Sequence, residues 1–245
     1  MTFYIGKGER ITDHDFMDIA DKNAVNYAAL RAVCEVEARN TGFTSANALI
    51  CLYEPHIAYR YTSGKVRMAL VKAGLAYPKQ GQKPYPKTSY PRIDLCAKIA
   101  GEEIAATATS WGLPQMMGFN HKACGYDTAL AMVTAFAESE YKQVEAMVKF
   151  IKSNPRMFEA LAKQDWATFA KFYNGSNYAQ NKYDQRLAKA YAFWKTVPLP
   201  EPEAIVPLNP LPSSIPMVDD NIDPPKVALA NAVVTIKNFL KGIFT

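Results

Sequence analysis

Apolar residues recur at three- and four-residue steps along most of the chain between Asp21 and Lys195, the spacing that lines one face of an α-helix. Val25, Ala29, Ala32, Val33 and Val36 make the first such stripe, and Gly42 after it is a helix stop. The run Ala48-Leu-Ile-Cys-Leu-Tyr53 is short, continuous and partly β-branched and aromatic, which predicts a strand. Helical spacing returns over 64–75 and 93–107, and again over 127–137, 139–153, 156–163, 165–173 and 179–195. In 139–153 the stripe is Tyr141, Val144, Met147, Val148 and Ile151. The pattern predicts a mainly α domain with a small strand region, an α+β arrangement.

Two stretches break the pattern. Residues 77–92 carry Pro78, Pro84, Pro86 and Pro91, interleaved with Tyr77, Tyr85, Tyr90 and the basic Lys79, Lys83, Lys87 and Arg92. That density of proline forbids a helix and predicts an extended loop or irregular hairpin, basic and aromatic enough to wall a binding cleft. Residues 197–225 hold nine of the sixteen prolines and read as an extended linker. Beyond it, Val227, Ala230, Val233, Val234, Ile236, Leu240 and Phe244 place an apolar stripe beside Lys237 and Lys241. The predicted organisation is a catalytic-sized domain over 1–196, a Pro-rich linker over 197–225 and an amphipathic helix over 226–245. That helix suits contact with a membrane or docking on a protein surface.

Composition narrows the function. Apolar types form 49% and charged types 21% of 245 residues, ordinary for a globular chain. The formal charge of +5 is too small to argue for nucleic-acid binding. It is concentrated, since residues 1–196 carry +7, which suits an anionic partner. Cys34, Cys51, Cys96 and Cys124 form no CxxC pair, and no HExxH occurs. Buried free thiols are expected, with no metal and no cofactor. The N-terminus lacks an apolar h-region, so synthesis in the cytoplasm without a signal peptide is expected.

Three clusters carry candidate chemistry. In Val33-Cys-Glu-Val-Glu-Ala38, Glu37 borders the apolar stripe near the helix C-terminus, whereas Glu35 points elsewhere. Burial and the helix dipole both raise a carboxyl pKa there, which is what a general acid needs; a solvated surface Glu also fits this position. Glu54 ends the predicted strand as a second carboxylate; Pro55 after it, before His56, is expected to break regular structure and leave the Glu54 side chain at a strand mouth. Thr109–His121 combines Trp111, Gly112, Gln115, Gly118 and Asn120, an aromatic and amide mixture suited to sugars, with Thr109 or Ser110 placed to cap a short helix. The third cluster, Phe172–Tyr178, sets Tyr173, Asn174 and Tyr178 around Gly175.

In this order and spacing the clusters resemble the lysozyme-like superfamily, and within it the N-acetylmuramidase domain of phage endolysins. The resemblance covers about 22–196 and rests on Glu35-Val-Glu-Ala38, Leu49–His56, Ser110-Trp-Gly-Leu-Pro-Gln-Met-Met-Gly-Phe-Asn120 and Tyr173-Asn-Gly-Ser-Asn-Tyr178. It implies an enzyme that acts on bacterial peptidoglycan at the cell wall, cleaving the β-1,4 bond between N-acetylmuramic acid and N-acetylglucosamine. It implies Glu37 as catalytic acid and Glu54 as second carboxylate. Gln115, Tyr173 and Asn174 fall at cleft positions, and Trp111 at a cleft or supporting one. The chain departs from the family pattern where Pro55 stands for Arg, Pro114 for an aromatic and Ala38 for Ser. Two alternatives remain at this stage, a lytic transglycosylase using Glu37 alone and a non-catalytic wall-binding or virion protein on the same fold.

Overall fold

The computed structural model describes residues 2–37, 41–175 and 178–201. The predicted helix over 226–245 and all but the first residues of the linker lie outside this range. Among the described residues, the chain runs through α1 (Asp13–Asn23), α2 (Tyr27–Glu37), β1 (Cys51–Tyr53), α3 (Pro55–Tyr61), α4 (Gly64–Lys72), α5 (Tyr90–Ala100) and α6 (Glu102–Thr107). It continues through β2 (Thr109–Trp111), β3 (Met116–Met117), α7 (Ala129–Glu138), α8 (Glu140–Lys152), α9 (Pro155–Lys163), α10 (Trp166–Asn174) and α11 (Tyr183–Trp194). The architecture is mainly α with one small antiparallel sheet, as the periodicity predicts.

Local chemistry sets the boundaries. Thr12 and Asp15 close a capping box at the start of α1. The side chains of Thr128, Ser139, Asn154 and Asp165 accept backbone N–H groups at the starts of α7, α8, α9 and α10. The helical spacing over 93–107 is broken into α5 and α6 at Gly101, whose φ of +89° ends the first helix. α1 lies largely before the first apolar stripe and α3 follows Pro55, so neither stands out in the periodicity. Pro55 does not end regular structure as its position suggested. It occupies the first turn of α3, where its missing N–H costs nothing.

The sheet order is β1-β2-β3, with Cys51 opposite Trp111, Leu52 opposite Ser110, and Trp111 opposite Met116. The segment expected to hold a capped short helix after Ser110 is instead this hairpin. Gly112 (φ +67°) and Gln115 (φ +46°) take left-handed conformations at its turn, and Gln115 N donates to Gly112 O. A Cβ on Gly112 would meet the amide oxygen of Gln143, so the position needs glycine for both space and φ.

Two buried clusters form the core. One gathers the sheet, Tyr4 and α3 to α7; the other gathers α1, α2 and α8 to α11. Helix α8 serves both, with Ala146 in the first and Val144, Met147, Val148 and Ile151 in the second. It also carries two buried polar side chains. Glu140 accepts from Gly42 N (2.7 Å), Ile11 N (3.0 Å) and Thr41 Oγ1 (3.2 Å), and pairs with Arg10 (3.2 Å). Gln143, fully buried, accepts from Leu113 N (2.7 Å) and donates to Phe136 O (2.9 Å).

Cys34, Cys96 and Cys124 are buried free thiols, and Cys51 is half-buried. Among the described residues no helix is long and apolar enough to cross a membrane, and no group of His, Cys, Asp and Glu is arranged to hold a metal.

Replacing Gln143 with Leu keeps the volume but strands Leu113 N and Phe136 O in the core. The expected loss is about 2–5 kcal/mol of stability, read by urea unfolding; a variant as stable as the parent would show that neither bond holds the hairpin in place.

Candidate active site

Glu37 is the last residue of α2, and its side chain is half-buried against the second core cluster. Burial pushes its carboxyl pKa from 4.5 up to about 7, against two opposing influences, a hydrogen bond from Asn174 and the positive charge of Arg186. Asn174 Nδ2 donates to Glu37 Oε1 at 2.8 Å. Asn174 ends α10, which brings the Tyr-Asn-Gly cluster onto the end of α2. Arg186 of α11 donates from Nη2 to Val36 O at 2.8 Å, satisfying a C-terminal carbonyl of α2. Tyr173 stacks on Phe169 with ring centroids 5.4 Å apart, and meets Phe150 edge-on. Burial, then the nearby Glu37, keeps the Tyr173 hydroxyl protonated. That hydroxyl and Asn174 Oδ1 are buried polar atoms without a protein partner. Tyr178 opens a short 3-10 turn and is half-buried at the edge of the same cluster.

Glu54 sits at the junction of β1 and α3. It is the N-cap of α3 in extended conformation, yet its side chain makes no capping bond. It is 7% exposed, and its Oε2 accepts the Tyr85 hydroxyl at 2.7 Å. His56 Nδ1 lies 3.1 Å from the same oxygen without an aligned hydrogen bond. Burial lowers the His56 pKa, against the pull of Glu54 and with the help of Arg60. Among the described residues no hydrogen bond or ion pair joins the Glu37 group to the Glu54 group.

The Ser-Trp-Gly segment plays a different part from the one its composition suggests. Trp111 is fully buried: its ring lies 6.0 Å from Tyr4 and 5.8 Å from Phe3, and its Nε1 donates to Ala106 O. It presents no face to a sugar, and of its two expected positions it takes the supporting one. Gln115 is committed to its own turn, accepting from Ser110 Oγ at 3.0 Å and donating to Gly112 O at 2.8 Å. Asn120 is half-buried with its Nδ2 3.6 Å from Met116 Sδ. The segment thus shapes the sheet, while Asn174 of the Tyr-Asn-Gly cluster reaches Glu37.

Arg186 and Tyr85 were missed by sequence reasoning. Arg186 carries no motif, being one of several cations on an amphipathic helix. Tyr85 had a signal, an aromatic in a proline-rich basic loop, but nothing in its spacing connects it with Glu54.

A cavity of about 680 Å³ lies elsewhere on α2, lined by Phe16, Arg31, Glu35, Glu140 and Trp194 among others. Its charged groups satisfy one another. Arg31 pairs with Asp13, Arg10 with Glu140, and Trp194 Nε1 donates to Glu35 at 2.6 Å. Through that last bond Glu35 anchors the end of α11 to α2.

The N-acetylmuramidase family model matches residues 26–195, which contain Glu37, Glu54, the hairpin and the Tyr173–Asn174 pair. The crystal structure of a Burkholderia AP3 phage endolysin is similar at 38% sequence identity and a TM-score of 0.70, covering 77% of this chain and 73% of that one. Curated proteins give no match. With well over half of its length matched, the chain belongs to the N-acetylmuramidase family, the peptidoglycan hydrolases of phage endolysins.

Proposed function

We propose that this peptidoglycan hydrolase is a muramidase that cleaves the β-1,4 bond between N-acetylmuramic acid and N-acetylglucosamine, with Glu37 as general acid. The observation that carries this reading is a single carboxyl held near pKa 7 by burial, with an amide donor on one of its oxygens. A carboxyl in that state is protonated in a substantial fraction of molecules near neutrality and is strong enough to protonate a glycosidic oxygen. As the C1–O bond breaks, the proton passes from Glu37 to the leaving oxygen. The remaining carboxylate is then stabilised by Asn174 and by the charge of Arg186. Glu54, as second carboxylate, orients the attacking water or stabilises positive charge on the sugar ring. Tyr173 and Asn174 border the scissile bond, with Asn120 and Tyr178 further along the glycan.

The position of residues 1–196 as the catalytic domain follows the same reading, with peptidoglycan as partner and the cell wall as site of action. The chain from 197 onward is read as a linker and an amphipathic helix that aids activity on intact cells through the bacterial membrane.

Mass spectrometry of purified peptidoglycan digested by the protein tests the bond. Products with reducing N-acetylmuramic acid ends are expected, and Glu37→Gln should lower their rate by roughly 10²–10⁴-fold. Anhydro-muramic ends would instead make the enzyme a lytic transglycosylase, and no products from the folded protein would favour a wall-binding role.

Activity should be highest below pH 7 and fall as Glu37 loses its proton above about 7. The Asn174 hydrogen bond favours the ionised form, so Asn174→Ala should move this alkaline limb to higher pH while lowering kcat. A limb unmoved in Asn174→Ala would assign it to another group.

The same carboxyl gives a substrate-free test. Its folded pKa of about 7 lies above the unfolded 4.5, so its contribution to stability is full below 4.5 and is lost as pH rises through 7. The stability of the parent relative to Glu37→Gln should therefore decline between those limits in chemical denaturation and level off above them. A constant difference would show that Glu37 titrates normally.

A further inference from the structure

Two carboxylates are nearly lost to solvent in this fold, Glu54 at 7% and Glu140 at 3% exposure. They are treated very differently. Glu140 is saturated, with two backbone N–H groups, a threonine hydroxyl and an arginine on its oxygens. It is a structural clamp. Glu54 has one aligned hydrogen bond among the described residues, from Tyr85, and that bond reaches only Oε2. A buried carboxylate left this open costs stability, and groups kept in that condition are characteristically functional.

The donor is unusual in its location. Residues 78–88 are all exposed and contain no helix or strand. Both ends of the loop are pinned around Glu54. Tyr77 N donates to Pro55 O at 3.4 Å, and Ser89 Oγ accepts from Tyr53 N at 3.0 Å. From between these anchors Tyr85, itself 39% exposed, returns its hydroxyl to Glu54. Three neighbouring polar atoms are buried without aligned partners: His56 Nδ1, Tyr77 Oη and Arg92 Nη1. This surrounding is wet or substrate-facing in character rather than a closed core.

We propose that Tyr85 is a positioning residue for the hydrolytic reaction. Its hydroxyl holds Glu54 Oε2, fixing the carboxylate plane so that Oε1 is left for the attacking water or the sugar. This rests on the reading of Glu54 as second carboxylate. Burial, then the bond to Glu54, raises the Tyr85 pKa, so the hydroxyl stays a donor at any working pH. His56 Nδ1 approaches the same oxygen at 3.1 Å but without an aligned hydrogen bond. The bond also ties the loop to the reaction: glycan pressing on the basic loop bears on the group that sets Glu54.

The test is a double-mutant cycle on soluble peptidoglycan fragments, with Tyr85→Phe, Glu54→Gln and both together. Tyr85→Phe keeps the ring, so KM should change little while kcat falls by about tenfold, the usual worth of a hydrogen bond to a charged group. In the Glu54→Gln background the same change should cost nothing further, because Tyr85 acts only through Glu54. A structural role would instead lower the melting temperature and add its effect in both backgrounds. Tyr85→Phe at the parent rate, with Glu54→Gln impaired, would overturn the positioning role alone. Glu54→Gln at the parent rate would overturn the second-carboxylate reading and this role with it. Additive losses would overturn action through Glu54.

Discussion

Glu140 and Gln143, three residues apart on α8, close the hydrogen bonds of four segments that are distant in sequence. They reach the N-terminal segment at Ile11, the chain after α2 at Gly42, the hairpin at Leu113 and the end of α7 at Phe136. Spacing of three puts both on one helix face, and that face lies where the two core clusters meet. The sheet side and the helical side therefore share one polar seam. Gly42 and Gly112 are glycines for the same reason, since a Cβ at either would collide with the Gln143 amide. One of its anchors, Gly42, lies five residues beyond Glu37 in the sequence.

The state of Glu37 is a balance rather than a single effect. Its place at the end of α2 sets it where the helix carbonyls disfavour negative charge. Burial pushes in the same direction and dominates. Arg186 and Asn174 pull back, and both come from elements packed against α2 rather than from α2 itself. Without the opposing pair the carboxyl would hold its proton more firmly. Had burial been weaker, it would be ionised at neutral pH. Arg186 has a double use: its hydrogen bond completes the Val36 carbonyl, and its charge tempers the neighbouring acid.

Much of this was legible in the chain. Amphipathic stripes located most helices because burial on one face imposes a period of 3.6 wherever a helix packs on a core. Glu37 was less legible: an acid at the margin of a stripe near a helix end fits a surface position equally well, and it was the family resemblance that singled it out. Where the hydrogen bond rather than the apolar pattern decides, legibility fails. Thr109–Met117 has the alternation of neither a clear helix nor a clear strand, and its hairpin depends on left-handed turn residues and a distant glutamine. Trp111 shows the limit of composition: an indole beside glycines suits a sugar platform, but its burial is set by Tyr4 and Phe3, which come from the start of the chain. Pro55 was read as a breaker although proline is equally a helix first residue, and only the chain direction after it separates the two.

That proline also bears on how Glu54 is held. The family resemblance implies an arginine at this position, a cation next to the acid. Here the residue after Glu54 instead has no N–H and no charge, and it begins a helix at once. Glu54 is left as an N-cap whose side chain makes no capping bond. Its remaining donor is the Tyr85 hydroxyl, brought in by a loop of high proline content. Proline lowers the number of shapes such a loop can adopt without giving it a helix or strand. A loop stiffened in this way can hold one hydroxyl against a carboxylate while the rest of its length faces solvent. The two carboxylates are therefore controlled from opposite kinds of structure, Glu37 by the packed ends of three helices and Glu54 by one side chain of an exposed loop.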